Sequence, residues 1–279
     1  MKGIIMAGGE GTRLRPLTQV VPKQLFPVYS TPMIYFPLSV LMLAGIREIL
    51  VITSPSHTHL YRGLLGDGRQ LGLSIEYGEQ PQANGIAEAF LLGADFIGRD
   101  PVALALGDNL FHGHGLTRLL RSRTAQVDGC VLFGYEVGDP GRFAVGEVDG
   151  DGRLVSIEEK PVSPRSNLAV TGLYLYDNDV VDMAKNIRPS ARGELEITDV
   201  NKEYLRRGRA ELVTLGPSYT WLDTGTYDTL MQAAKYVQAL ERRQGVRIAC
   251  PEEIALAQGY ITAQPSGAVR RARARDEGQ

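Results

Sequence analysis

Residues 3–28 read GIIMAGGEGTRLRPLTQVVPKQLFPV, a short apolar run that breaks into a glycine-rich turn and then delivers Arg13, Arg15 and Lys23 against a single acidic residue, Glu10. A strand feeding straight into such a turn predicts that the turn lies at the carboxyl end of a sheet strand, where open α/β sheets gather ligands. Gly8, Gly9 and Gly11 let the backbone take positive φ and come close to a ligand, so that N–H groups can converge on anionic oxygens. The cations then neutralise what the amides hold. Two common phosphate motifs do not fit this polyanion cradle: a P-loop needs GxxxxGK followed by Ser or Thr, and a dinucleotide fingerprint needs a third glycine where Leu14 stands.

Outward from the turn, helical spacing over 33–44, 57–65 and 86–92 alternates with β-branched runs over 48–53, 74–77 and 102–106. Such alternation predicts βαβ units and an α/β, mixed but mainly parallel sheet flanked by helices, Rossmann-like in plan. After about residue 128 the rhythm changes. Runs over 143–148 and 154–158 flank Asp149-Gly150-Asp151-Gly152, a hairpin signal. Strands over 168–176 and 211–215 and a helix over 196–206 follow, and the second half is expected to extend the same sheet. Apolar Leu230, Ala233, Ala234, Val237 and Leu240 make 227–243 a packed helix. The expected organisation is one domain over 1–262, with a cradle half over 1–128, a second half over 129–225 and C-terminal helices over 226–262. The tail 263–279 has no apolar period and is expected to be disordered.

A chain of 279 residues with 43% hydrophobic and 22% charged content can bury a full α/β core. Its net charge of −2 gives no general pull toward nucleic acid or anionic membrane, so positive charge must act locally on a small phosphate partner. Cys130 and Cys250 sit in no metal-ligand spacing and read as inert thiols in a reducing cytoplasm. No apolar run is long enough for a signal h-region or a membrane span, so neither export by that route nor membrane insertion is expected.

Eight ordered segments carry a resemblance: Gly8 to Leu14, Pro22 to Pro27, Gln80-Pro81, Leu106-Gly107-Asp108-Asn109, Glu158-Glu159-Lys160-Pro161, Val170 to Tyr174, Gly193 to Asp199 and Trp221-Leu222-Asp223-Thr224-Gly225. From Lys2 to about Ile261 the chain resembles the sugar-phosphate nucleotidyltransferases, and most nearly those that make dTDP-glucose from dTTP and glucose 1-phosphate. The resemblance implies a glycosyltransferase-A-like sheet with an added β-hairpin and C-terminal helices, a nucleotide-binding first half and a sugar-binding second half. It also implies a homotetramer and feedback inhibition by a downstream dTDP-sugar at a second site.

Asp108 follows an apolar run, which would place it at the carboxyl end of a buried strand, aimed at the cleft. A carboxylate there suits Mg²⁺, which takes one or two protein carboxylates together with substrate phosphate oxygens and water. The resemblance supplies Asp223 as the second. It further implies that Arg13 holds the leaving phosphates and that Lys23 bridges the triphosphate and the incoming phosphate. Gly8, Gly9, Gly11 and Thr12 would line the triphosphate site. Gln24 and Gln80 are candidates for the base, because a primary amide offers both a donor and an acceptor to the O4 and N3–H edge of thymine, with Gly85 giving close backbone approach beside Gln80. On the sugar side Glu159 would accept from hydroxyls and Lys160 would pair with the 1-phosphate. Asn109, Ala144, Thr171, Gly172, Glu194 and Trp221 would complete the wall.

Two departures bear on the sugar: Ala144 stands where the family usually has glycine, and Leu168 where it often has tyrosine. A methyl group at a close backbone approach would tighten the sugar pocket or shift its hydrogen bonds. His112-Gly113-His114 resembles a metal pair but lacks further ligands at usable spacing, which argues against zinc. Alternatives are UTP in place of dTTP, or a non-catalytic nucleotide-sugar sensor. A sensor would be expected to lose an aspartate or the lysine, whereas Arg13, Lys23, Asp108 and Asp223 are all present.

Overall fold

Ile4 and Met6 face one side of the first strand and Ile5 and Ala7 the other, and all four are buried. A strand apolar on both faces needs helices above and below it. The computed structural model describes residues 1–262 and provides both layers; the tail read as disordered lies outside the described residues.

In the first half the strands are β1 (Lys2–Met6), the two-residue β2 (Pro27–Val28) and β3 (Thr31–Pro32), β4 (Glu48–Thr53), β5 (Ser74–Glu79), β6 (Val102–Leu106) and β7 (Asn109–Gly113). The helices between them are α1 (Tyr35–Leu43), α2 (Thr58–Leu65), α3 (Glu88–Leu92), α4 (Ala94–Ile97) and, after β7, α5 (Leu116–Thr124). The second half contributes β8 (Cys130–Glu136), β9 (Ala144–Val148), β10 (Leu154–Glu159), β11 (Leu168–Tyr176), α6 (Val180–Asn186), α7 (Ile197–Arg206), β12 (Ala210–Leu215) and β13 (Tyr219–Asp223). Two helices follow, α8 (Tyr227–Gln244) and α9 (Pro251–Ala257).

The main sheet runs β10-β9-β11-β6-β1-β4-β5, with β8 also paired to β11 and β12 added outside β8. The cradle half, β6-β1-β4-β5, is parallel throughout, as the alternation predicted. The second half joins it through β11, which runs antiparallel to β6, β8 and β9. The expected hairpin forms: β9 and β10 pair antiparallel, and Asp149 Oδ1 accepts from the N–H groups of Asp151 (3.0 Å) and Arg153 (2.9 Å) to close the turn.

Alternation along the strands fills two cores. Ile49, Val51, Ala103 and Ala105 meet α1 and Tyr61 on one face, while Leu50, Ile52, Leu104 and Tyr176 meet Phe90, Val200 and Tyr204 on the other. A third core holds Leu14, Phe26, Met33 and Phe36 from the cradle region against Leu110, Ala233 and Val237. The stripe read on α8 is therefore the clamp on the cradle loop. A reciprocal capping box starts α8: Thr226 Oγ1 accepts from the Thr229 N–H at 3.2 Å, and Thr229 Oγ1 from the Thr226 N–H at 3.0 Å. Among the described residues no helix is long and apolar enough to cross a membrane.

Candidate active site

The glycine turn leaves β1 with its donors unspent. Among the described residues, the backbone N–H groups of Gly8, Gly9, Glu10 and Gly11 donate to no protein acceptor. Gly9 and Gly11 take φ of +97° and +57°, which turns successive amides toward one side. The loop is held from beneath: Leu14 is fully buried, Thr18 Oγ1 donates to Gly11 O at 2.9 Å, and Tyr227 Oη donates to the carbonyls of Leu14 (3.0 Å) and Arg15 (2.9 Å). Thr12 opens the short turn that presents Arg13. Arg15 pairs with Glu10 at 2.6 Å on the surface, leaving Arg13 and Lys23 as the cradle's inward cations.

Gln24 is not placed to read a base. It is 1% exposed, its Oε1 accepts from Tyr61 Oη at 3.1 Å and its Nε2 donates to Gly8 O at 3.3 Å, so it braces the cradle from behind. Gln80 lies beside the loop, its Oε1 only 3.0 Å from where a Cβ on Gly8 would stand. Its Nε2 is already committed to Glu88 Oε2 (2.6 Å) and Gly85 O (3.1 Å), so it offers a ligand an acceptor and not the donor–acceptor pair expected of it. The close approach that requires glycine at 85 is to the protein itself: a Cβ there would overlap the Leu195 backbone, and φ is +103°.

Asp108 follows β6 after Gly107, where a Cβ would come within 2.8 Å of Met6 O. Asp223 arrives from the opposite end of the chain through register. β13 pairs antiparallel with β7, setting Asp223 opposite Asn109, and Thr224 donates to Asp108 O from both its N–H (3.1 Å) and its Oγ1 (2.7 Å). Burial pushes the Asp108 carboxyl up, but the ion pair with Lys23 and bonds from Lys23 and Asn109 outweigh it and hold the group below its ordinary value. Burial, then the neighbouring Asp108 charge, push Asp223 above its ordinary value against the opposing charges of Lys23, Arg13 and Arg142. Two adjacent half-buried oxygen donors, one destabilised by the other, fit a hard divalent cation.

These carboxylates and Arg13 form one end of a polar cleft of about 450 Å³. Glu159 lines it, accepting from Thr198 Oγ1 at 2.5 Å and from Lys160 Nζ at 3.0 Å. Burial alone would raise its pKa; those partners bring it below the ordinary value. Lys160 sits at φ +41°, a turn that aims its side chain back across Glu159. Ala144 and Glu194 are on the wall. Asn109 serves as a hub: Oδ1 accepts from the Gly172 N–H (3.0 Å) and Trp221 Nε1 (2.6 Å), while Nδ2 donates to Asp108 Oδ1 (3.0 Å). The β11–β8 register shift between Val170 and Tyr174 supplies that Gly172 N–H, and a Cβ on Gly172 would stand 2.6 Å from Asn109 Oδ1. Trp221 is buried and edge-on to Phe143 at 5.1 Å, forming floor.

Thr171 is a correction. Strand alternation turns Val170, Gly172 and Tyr174 to the cleft and buries Thr171 on the other face, its Oγ1 without a protein partner. Leu168 is likewise outside the cleft lining, packed where a Cβ on Gly134 would stand 2.8 Å from its Cγ, so of the two departures only Ala144 touches the cleft. His112 bonds Tyr236 Oη through Nδ1 at 2.9 Å.

Two cleft cations escaped the sequence reading. Arg192 reaches Glu196 (2.8 Å), Glu194 (3.6 Å) and Glu159 (3.7 Å). Its signal was a lone cation directly ahead of the Gly193-Glu194-Leu195-Glu196 block. Arg142 also lines the cleft and has no acidic partner within ion-pair distance among the described residues.

Two cation- and amide-lined regions that meet across a pair of half-buried carboxylates are the arrangement of a transferase joining two phosphorylated substrates. The nucleotidyl transferase family model matches residues 2–239, and the chain belongs to that family. It is 55% identical over 263 residues to glucose-1-phosphate thymidylyltransferase of Xanthomonas campestris pv. campestris, covering 94% of this chain and 89% of that one. A Bacillus anthracis protein provisionally assigned the same activity and solved with a sucrose superposes with a TM-score of 0.81 at 40% identity, over 91% of this chain and 99% of that one. A UDP-glucose pyrophosphorylase solved with UDP-glucose superposes at 0.74 and 25% identity, over 85% of this chain and 98% of that one.

Proposed function

We propose that the protein transfers dTMP from dTTP to glucose 1-phosphate, giving dTDP-glucose and pyrophosphate, as a cytoplasmic Mg²⁺-dependent enzyme working in one domain over 1–262. The observation that carries this reading is the juxtaposition of Asp108 and Asp223 between the unspent amides of the cradle and the polar cleft.

A phosphate oxygen of glucose 1-phosphate attacks the α-phosphorus of dTTP. The bond from that phosphorus to the oxygen bridging the β-phosphate breaks, and pyrophosphate leaves. No side-chain nucleophile is needed, so the protein's contribution is alignment and charge stabilisation. The amides of Gly8, Gly9 and Gly11, with Thr12 and Arg13, hold the triphosphate. Lys23, now paired with Asp108, would bridge the triphosphate and the incoming phosphate. Asp108 and Asp223 would hold Mg²⁺, which when bound neutralises phosphate charge. Gln80, held by Gly85 O, faces the base. Glu159 takes the sugar hydroxyls, Lys160 and Arg192 the 1-phosphate, and Asn109 keeps Gly172, Trp221 and Asp108 in register.

Incubation with dTTP, glucose 1-phosphate and Mg²⁺ should release pyrophosphate stoichiometrically with dTDP-glucose. Tight nucleotide binding without pyrophosphate would favour a sensor and sink the catalytic reading. UTP is a second expected substrate, because the acceptor on Gln80 meets the N3–H that uracil shares with thymine. The family resemblance extends the proposal to a homotetramer inhibited by a downstream dTDP-sugar.

A further inference from the structure

Gln80 is 5% exposed, and a buried amide in that position could point either its oxygen or its nitrogen at a ligand. Here the choice is made by Glu88, the first residue of α3. Both of its carboxylate oxygens accept hydrogen bonds from neighbouring side-chain amides. Glu88 Oε2 takes one from Gln80 Nε2 at 2.6 Å, and Oε1 takes one from Asn84 Nδ2 at 2.9 Å. The second hydrogen of Gln80 Nε2 goes to Gly85 O at 3.1 Å. Both amide hydrogens are thus consumed inside the protein, and flipping the amide would set its oxygen against two acceptors. The loop bearing these partners is itself fixed: Leu195 N–H donates to Asn84 O at 2.6 Å, and Ala87 N–H to Leu195 O at 3.1 Å. What remains is Gln80 Oε1, which a Cβ at residue 8 would crowd at 3.0 Å and the glycine there leaves open.

We infer that Glu88 is a positioning residue for nucleobase selection: by locking the Gln80 amide, it presents an acceptor alone to the base and so selects pyrimidines that carry a hydrogen on N3. Thymine and uracil supply that donor. Cytosine places a bare N3 there, and two acceptors then face one another in a buried site. The inference rests on the proposed use of dTTP, and it assigns the discrimination against dCTP to a side chain that does not touch the nucleotide.

The test measures kcat/KM for dTTP and dCTP with glucose 1-phosphate and Mg²⁺, using the full chain, alongside equilibrium binding of each nucleotide and the melting temperature. Wild-type turnover of dTTP decides the underlying reading by itself; if it is absent, the dTTP/dCTP binding ratio still tests Glu88. Glu88→Leu keeps the bulk and removes both acceptors, freeing the amide to turn. The dTTP/dCTP ratio should fall about 10- to 100-fold, consistent with unmaking one buried hydrogen bond, with dCTP gaining as dTTP loses. Glu88→Gln, which offers one acceptor and one donor and so no longer enforces a single orientation, should give a smaller fall in the same direction and covers the case in which Glu88→Leu does not fold. Equal losses for both nucleotides, or an unchanged ratio in the variant that folds, would overturn the inference.

Discussion

The two sides of the cleft are prepared differently. On the cradle side the parallel sheet ends in backbone donors that bind nothing in the protein, and Arg13 reaches into the site without an ion-pair partner within reach among the described residues. On the other side, built around antiparallel β11, Arg142 is likewise without an ion-pair partner among the described residues, but the cations around Glu159 are engaged: Lys160 with Glu159, and Arg192 with Glu159, Glu194 and Glu196. A ligand entering the first side meets preorganised donors and pays little reorganisation, whereas one entering the second must exchange partners with carboxylates already in place. The carboxylate pair stands between them, and it is the least comfortable part of the site.

That discomfort predicts the largest effect. Asp223→Asn should lower turnover by about 10³-fold, since bound metal contributes several kcal/mol of charge stabilisation, while raising the melting temperature at neutral pH. The sign follows from the direction of the shift. A carboxyl whose folded-state pKa lies above its unfolded value disfavours the folded state once pH exceeds both, and asparagine removes that cost. Parallel kinetics and calorimetry check the pair of outcomes; a drop in both activity and stability would show that Asp223 supports the fold.

Gly225→Ala probes the cradle side. A Cβ there would stand 3.1 Å from Arg13 Nη2 and 3.2 Å from Asp223 Oδ1, so both groups must shift by a few tenths of an ångström. Because the cradle works by preorganisation, kcat/KM should fall about 10-fold, consistent with the sensitivity of alignment to sub-ångström misplacement. Stability should hardly change, as the position is not at positive φ. An unchanged kcat/KM would mean that the unpartnered guanidinium tolerates displacement.

How much of this was legible in the sequence divides along the same line. The cradle is local: one strand, one turn and its cations lie within 28 residues, and glycine has few other reasons to recur at that spacing. β1, β4, β6 and the 149–152 hairpin likewise follow from short-range pattern. β7 and β13 do not. Their pairing joins residues more than a hundred positions apart, and their short sequences, NLFHG and YTWLD, carry no alternation by which to find each other. Asp223 was reached by resemblance alone, and the structure supplies the physical reason in the Asp223–Asn109 register. Gln24 and Thr171 illustrate the opposite limit. Polar side chains in a matching segment read as ligands, yet one is drawn behind the loop by Tyr61 and the other is turned away by strand alternation. Arg192 shows in the sequence only as a cation beside Glu194 and Glu196; its approach to Glu159, which places it in the cleft, comes from a distant strand.

The smallest expected effect tests whether the second side is tuned by its internal bonds. Thr198→Val removes the 2.5 Å bond to Glu159 while preserving shape. Glu159 has its pKa held below the ordinary carboxylate value partly by that bond, so it contributes stability above its unfolded pKa that is lost as pH falls through the folded one. Without the bond the folded pKa rises, and about 1 kcal/mol of stability should go at neutral pH, the usual worth of one such hydrogen bond. KM for glucose 1-phosphate should rise about 3-fold on the same scale, and its increase on acidification should begin at a higher pH than in the wild type. KM for dTTP should stay put, because the cradle shares no bond with Thr198. A matching rise in both constants would dissolve the contrast between the two sides, since it would show that the exchangeable charges around Glu159 also set the geometry of the preorganised amides.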